Sequence, residues 1–415
     1  MGFKQKISFF SILIVLFAVP VKVNIAKAES VTYIQLYYGD KTFEYRDEYI
    51  EPSNHIVAQE IFVRKINAPY AQKMEHVGQK LRGGASYKAA LLVCFPLLDR
   101  TVSAAIAAIN VLPTDSQIRF NPNAKKIFAI SRDKDGVRVD EDRLYMDIYF
   151  ALVASNTAKI QIPTVKIKAS VTVKDNVAVT NLRAKYSTDF SSSGDERKHN
   201  IKLALSKLNG VVIPGGETLS FNDKVGRRTA ANGFKEAKII KGGKYVPGIG
   251  GGVCQASTTL YNAALLSDLV IVEANRHTLQ STYEKASFDA MVNSGSSDLK
   301  IQNGGSYPIF IRAYSKGGKA CVEIYGTLLP YKIERKSEIT YTGEMPKYDE
   351  IVDEKYEYFE QGELSGTRKT VSYSHPEVHS KGYLLYYDFQ GNLMQTKHIR
   401  TDKYSSVKGV IAIAP

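Results

Sequence analysis

A cysteine stands where a glycine run gives way to a helical pattern. Gly248-Ile249-Gly250-Gly251-Gly252-Val253-Cys254-Gln255 leads directly into 256–269, where Leu260, Ala264 and Leu265 share one face. A thiol at a helix start meets backbone N–H groups that have no intrahelical acceptor, together with the positive end of the helix dipole. Both favour the thiolate. The same donors suit an oxyanion. Such a nucleophile needs a base, and His277 follows in Arg276-His277. Asp289 comes next, in Phe288-Asp289-Ala290. In that order, Cys254 attacks a carbonyl, His277 takes and returns the proton, and Asp289 orients the imidazole. Taken singly each residue has an ordinary explanation, a lone cysteine being most often a small buried hydrophobe.

Other residues near this stretch suit ligand or oxyanion binding. They are Gln255, the backbone at Gly251 and Gly252, Asn222, and the pair Arg227-Arg228. Two guanidinium groups match a carboxylate or a phosphate. The glycine run has no lysine at the Walker position, so no nucleotide is expected. The seven histidines never form an HExxH pair, and neither a metal nor a cofactor is predicted. Cys94 and Cys321 sit in apolar runs and are read as core residues.

These residues must be positioned by regular elements. The sequence predicts a helix from Cys254, an alternating strand over 278–283 carrying His277 at its start, and a short strand over 288–292 carrying Asp289. Helix, strand, strand in that order is the papain-like and transglutaminase-like arrangement, within an α+β domain. Upstream, a helix is expected over 101–112. Another should start at Asp140, with Leu144, Ile148 and Leu152 inward, followed by strand over 158–173. A further helix is expected over 196–209. After Pro330 the pattern turns to short strands between Gly, Asp and Asn turns, an all-β module.

The chain has 415 residues, 44% hydrophobic, with Lys+Arg 55 against Asp+Glu 42. That composition excludes a disordered chain, and three cysteines exclude a disulfide scaffold. Lys4 and Lys6, the apolar run 7–21 and Ala26-Lys27-Ala28 have the order of a secretory signal cleaved after Ala28. Export to the cell wall or medium is therefore expected. The formal net charge of +13 would attract anionic wall polymers. Nucleic acid is not an expected partner, and nothing in the sequence sets an oligomeric state.

From Asn200 to about Gly326 the sequence resembles the VanW family. The resemblance rests on Pro214-Gly215-Gly216-Glu217, Phe221-Asn222, Gly226-Arg227-Arg228-Thr229 and Gly233-Phe234. It continues through Gly250-Gly251-Gly252-Val253-Cys254-Gln255, Ser257-Thr258-Thr259-Leu260-Tyr261-Asn262-Ala263, Arg276-His277 and Asp289-Ala290. Residues 124–166 are similar to a domain type associated with peptidoglycan binding, through Gly136-Val137, Val139-Asp140, Ala151-Leu152 and Ile160-Gln161-Ile162-Pro163. The tail resembles G5-type modules, and Tyr404 fits their pattern. The resulting organisation is a signal peptide (1–28), an α+β peptidoglycan-binding region (29–175), a linker (176–200), a VanW-like domain (201–328) and a β-rich G5-like module (329–415). The resemblance implies a Gram-positive envelope setting. The expected role is binding of peptidoglycan or its stem peptides, accessory to wall structure or glycopeptide response. The alternative is a cysteine-dependent amidase, peptidase or transpeptidase-like enzyme using Cys254, His277 and Asp289.

Overall fold

The computed structural model describes residues 31–47, 68–241 and 244–415. The expected signal segment lies outside the described residues. The chain divides into two compact units. One comprises Met1–Leu112 with Asp135–Lys168, the other Pro113–Lys134 with Ala169–Pro415. Both mix helices with strands, so the protein is α+β. Among the described residues no helix is long and apolar enough to cross a membrane.

In the first unit, strands Tyr33–Tyr38 and Lys41–Arg46 form a hairpin, and Thr157–Gln161 adds in parallel beside the first. Helices Tyr70–Arg82, Tyr87–Leu92, Leu98–Ile109 and Glu141–Ala154 surround a core that includes Ile34, Leu36, Phe95, Leu144, Ile148 and Leu152. The last helix starts where its cap predicts. The Asp140 carboxylate accepts from the Arg143 N–H at 3.1 Å. The single strand expected over 158–173 is two strands, Thr157–Gln161 and Thr164–Ile167. Pro163 stands between them and offers no N–H to continue a ladder.

The second unit is built on a four-stranded antiparallel sheet. Its order is Asn181–Asp189, Lys319–Gly326, Ile309–Lys316, Val212–Ile213. Helices Asp195–Leu208 and Val253–Leu266 pack on this sheet and on each other. Residues 176–200 are therefore no linker. They supply one strand of the sheet and the start of a helix. Along that strand Lys185, Ser187 and Asp189 are exposed, whereas Ala184, Tyr186, Thr188 and Phe190 turn inward. Charge on the outward positions hides this alternation from a composition reading. The strand's partner also lies more than a hundred residues later, so no local pattern announces the pairing.

Residues 113–134, placed with the N-terminal region by the sequence, belong to the second unit. They form a short hairpin, Ile118–Phe120 with Phe128–Ile130. The Phe128 ring lies 5.2 Å from Phe310 and 5.4 Å from Tyr325. Three aromatic rings in edge contact hold the hairpin to the sheet.

From Lys332 onward the regular elements are strands. Lys332–Thr342, Val378–Tyr387 and Leu393–Tyr404 form one antiparallel sheet. Asp349–Val352, Val410–Ile413 and Arg368–Ser372 form a smaller one. Ile333, Leu384 and Tyr386 join the same hydrophobic core as Leu260, Phe288 and Ile311. Arg335, on the first strand, pairs with Glu284 at 3.2 Å and donates to the Tyr186 hydroxyl at 2.6 Å and to Asn262. The larger tail sheet is thus joined to the body of the unit by shared core and by a buried polar network.

Candidate functional site

The helix Val253–Leu266 is where the chemistry-bearing residues gather. Every residue from Val253 to Leu265 is buried except Cys254, which is partly exposed and faces a cleft. The approach to the helix is set by glycine. Gly250 and Gly252 have φ of +90° and +103°, and Gly252 is the N-cap, with no side chain capping the helix. The Val253 and Gln255 N–H groups bond to the Gly250 and Gly252 carbonyls at 3.1 and 2.9 Å, which leaves the Cys254 N–H as the first-turn donor open to another acceptor. A Cβ at Gly252 would lie 2.8 Å from Arg197 Cγ, and one at Gly251 would lie 2.6 Å from the Lys238 carbonyl oxygen. Only glycine allows this turn at this closeness.

The helix also fixes the segment that brings in the third residue. Ser257 Oγ donates to the Ala290 carbonyl at 2.6 Å, and Thr258 Oγ1 accepts from the Ala290 N–H at 2.9 Å. Asn262 Nδ2 donates to the Phe288 carbonyl at 2.8 Å. With its backbone held by side chains, 288–292 does not form the strand the sequence predicts, and 278–283 does not either. A single bridge, Asn275 to Met291, joins the two segments. It places His277 opposite Asp289. The order of residues is as expected, but His277 and Asp289 stand on irregular backbone.

Asp289 is 1% exposed and its carboxylate is fully engaged. Oδ2 lies 2.6 Å from His277 Nδ1 and accepts the His277 backbone N–H at 2.7 Å. Oδ1 accepts from Arg400 at 2.6 Å and from the Tyr404 hydroxyl at 2.6 Å. Burial by itself would raise this carboxyl. The His277 hydrogen bond and the Arg400 charge outweigh it and hold the group down at about 2. Burial likewise opposes a charged His277, but its bonds to Asp289 and Cys254 push the imidazole up to about 10. For Cys254, burial would raise the thiol. The hydrogen bond and charge of His277, with the Arg228 charge, lower it instead. In the neutral thiol form Sγ donates to the Val292 carbonyl at 3.3 Å. His277 and Asp289 are thus in direct contact, and His277 and Cys254 each shift the other toward its charged form.

The remaining expected residues divide. Arg228 lines the cleft and is held by Asn222, whose Oδ1 accepts at 2.6 Å. Asn222 is itself pinned by donating to the carbonyls of Asn293 and Ser297, each at 2.9 Å, so it acts by aiming Arg228. Arg227 is exposed and lines a separate hollow with Asp223 and Glu273, not the Cys254 cleft. Gln255 is no oxyanion donor. Its amide nitrogen donates to the Asp189 carbonyl at 2.7 Å and to Thr188 at 3.1 Å, and its oxygen accepts from Arg197 at 2.8 Å. A helix turn of one residue carries it from the cleft into the sheet. Gly251 and Gly252 shape the entry. Cys94 and Cys321 are buried. Among the described residues no group of His, Cys, Asp or Glu is placed to hold a metal ion.

The sequence assigned Arg400 no role and Tyr404 only to the tail's pattern, not to the site. A signal was present. Arg400, Asp402 and Tyr404 alternate along one strand and turn a polar face inward, where apolar residues are the rule. Arg400 also pairs with Asp402 at 2.6 Å.

Comparison with known proteins places residues 196–325 under the family model described as VanW like protein. Over 186 residues the chain is 36% identical to the uncharacterized protein YoaR of Bacillus subtilis (strain 168), a stretch covering 44% of this chain and 61% of that protein. Over 124 residues it is 33% identical to the vancomycin B-type resistance protein VanW of Enterococcus faecalis (strain ATCC 700802 / V583), covering 28% of this chain and 45% of that protein. The chain thus spans less than two-thirds of either relative. The crystal structure of HP0197-G5 aligns with 20% of this chain and 95% of that one, at 6% identity and a TM-score of 0.11.

Proposed function

We propose that this chain, which carries a VanW-like domain over residues 196–325, is an exported envelope protein that binds wall peptides and breaks or exchanges an amide bond in them through Cys254. One observation carries the reading. Cys254 is the one partly exposed residue of Val253–Leu265 and lines the cleft, and its base His277 is locked to Asp289 at 2.6 Å. A structural cysteine needs no such partner. The order of helix-borne Cys, then His, then Asp is also that of papain-like and transglutaminase-like enzymes. The printed name of the enterococcal relative connects that protein to vancomycin resistance. The basic charge and the signal-like first residues of this chain fit the same compartment.

The chemistry follows from the site. The Cys254 thiolate attacks the amide carbonyl, and the oxyanion that forms lies near the Cys254 N–H and the positive end of the helix. His277 gives its Nε2 proton to the departing amine, the C–N bond breaks and a thioester remains. Water or a second amine then attacks the thioester and loses a proton to His277, and the C–S bond breaks to restore the thiolate. Asp289 stays ionised throughout and fixes the Nδ1 face of the ring. Water gives hydrolysis, as in an amidase or peptidase, and an amine gives a new cross-link, as in a transpeptidase.

The test is incubation of the purified protein with muropeptides, followed by mass spectrometry. Shortened or cross-linked products are expected with wild type and not with Cys254→Ala. If the protein sediments with peptidoglycan yet never changes a muropeptide, it is a binding protein and the thiol reading is wrong.

A further inference from the structure

The Cys254 cleft has a volume of about 590 Å³, and its charge is one-sided. Arg197, Arg228 and Lys238 line it, from a helix, a loop and a hairpin strand. The one carboxylate among the lining residues is Asp189, which accepts from the Ser191 N–H at 2.9 Å and from its hydroxyl at 2.6 Å. Apart from Asp189 and the Cys254–His277 pair, the charged side chains that line the cleft are cationic.

Arg228 is the cation that the structure prepares. Its hydrogen bonds go only to neutral acceptors. These are Asn222 Oδ1 at 2.6 Å and, at 3.4 Å, the Gly226 carbonyl and the Ser294 hydroxyl. Asp298, the carboxylate whose charge reaches it, accepts instead from the N–H groups of Asn222 at 2.9 Å and Leu299 at 2.8 Å. The guanidinium lies over the Phe221 ring at 5.6 Å. It is a partly desolvated cation, fixed in place by neutral hydrogen-bond acceptors and in direct contact with no carboxylate, and the Cys254 thiolate is the nearest anion its charge favours. Holding a charge that way is costly unless a ligand neutralises it. Lys238 is exposed at the rim of the same cleft.

We propose that Arg228, assisted by Lys238, docks a carboxylate of the substrate next to the carbonyl that Cys254 attacks, so that the site selects anionic acyl donors over neutral ones. A planar carboxylate matches the free edge of a guanidinium. The inference rests on the thiol chemistry proposed above, and it can fail separately.

Two alkylating probes separate the cases. In each, the Cys254 thiolate forms a C–S bond to the methylene carbon and iodide leaves. Iodoacetate carries a carboxylate, and iodoacetamide is its neutral counterpart. The ratio of their second-order rates cancels the thiolate fraction, so it reads anion docking and not thiol acidity. Wild type is expected to favour iodoacetate over iodoacetamide relative to 2-mercaptoethanol, by about five-fold or more for one nearby charge pair in a cleft. Arg228→Gln is expected to lose that preference, Lys238→Gln to lose part of it, and Arg228→Lys to keep part of it. The iodoacetamide rate of each variant reports that the site is intact. Lys238→Gln changes an exposed side chain and supplies the reading if Arg228→Gln does not fold. A wild-type ratio no higher than that of 2-mercaptoethanol overturns the docking proposal. So does a ratio that neither variant changes. A folded protein whose Cys254 resists both reagents overturns the thiol chemistry itself, and this proposal with it.

Discussion

Arg400 and Asp289, more than a hundred residues apart, meet at 2.6 Å, with the carboxylate buried and the guanidinium largely so. Arg400 belongs to the tail sheet and lies beyond the residues that match the VanW model. The Asp289 carboxylate therefore faces the relay with one oxygen and the tail with the other. With the His277 hydrogen bond, the tail's donors help keep this buried carboxylate ionised. The candidate catalytic unit extends to at least Tyr404.

Cys254 should react with iodoacetamide faster than Cys94 or Cys321, because it alone faces a cleft and its thiol is lowered. The inflection of its pH–rate profile should lie below the ordinary thiol value of about 8.5. His277→Ala removes the cation that favours the thiolate, so the inflection should move up and the rate near neutral pH fall about ten-fold or more. Residue-resolved mass spectrometry of the folded protein reads all three cysteines. An inflection unmoved by His277→Ala would rule out the pairing.

Arg400→Met and Tyr404→Phe should each weaken the hold on Asp289. Losing a hydrogen bond to a buried charged group costs about 1.5–3 kcal/mol, measurable by urea unfolding. A role confined to stability would leave the alkylation inflection of Cys254 in place. A positioning role moves it upward, and Arg400→Lys should restore part of the shift.

Stability should depend on pH through both relay partners. Asp289 is lowered from 3.8 to about 2, so it contributes stability above about 4 that is lost as pH falls toward 2. His277 is raised from 6.5 to about 10, so its contribution is full below 6.5 and is lost as pH rises through 10. Unfolding free energies of wild type and Asp289→Asn, measured from acid to alkaline pH, should converge at the acid end, differ most between about 4 and 6.5 and draw closer again, without meeting, as pH rises through 10, since Arg400 and Tyr404 still bind the carboxylate. A constant difference across that range would contradict the assignment.

Gly252→Ala should destabilise the protein by about 1–3 kcal/mol, because φ is +103° and the new methyl would meet Arg197. It should also depress Cys254 alkylation, since the helix entry must shift. Gly295→Ala, where a Cβ meets nothing within 4 Å, is the control and should change neither quantity. Thermal unfolding with the alkylation assay checks both.

The sequence alone was enough to place Cys254 at a glycine-led helix start, and to set His277 and Asp289 after it in the order of a relay. Helix starts and turns are short-range. Gly250 and Gly252 declare a left-handed backbone, and Asp140 declares a cap. The VanW resemblance rested on the same local residues. Tertiary structure decided what those residues touch. Gln255 beside Cys254 looked like a donor but turns into the sheet, because adjacent helix positions point about 100° apart. The supposed linker became a sheet strand whose partner comes more than a hundred residues later. His277 and Asp289 meet without regular strands, because Thr258 and Asn262 of the helix hold the intervening backbone. Arg400 and Tyr404 reach Asp289 through a strand pairing that no local pattern encodes. Contacts between distant segments are settled by packing and burial of the whole unit, and those are absent from any window of sequence short enough to read.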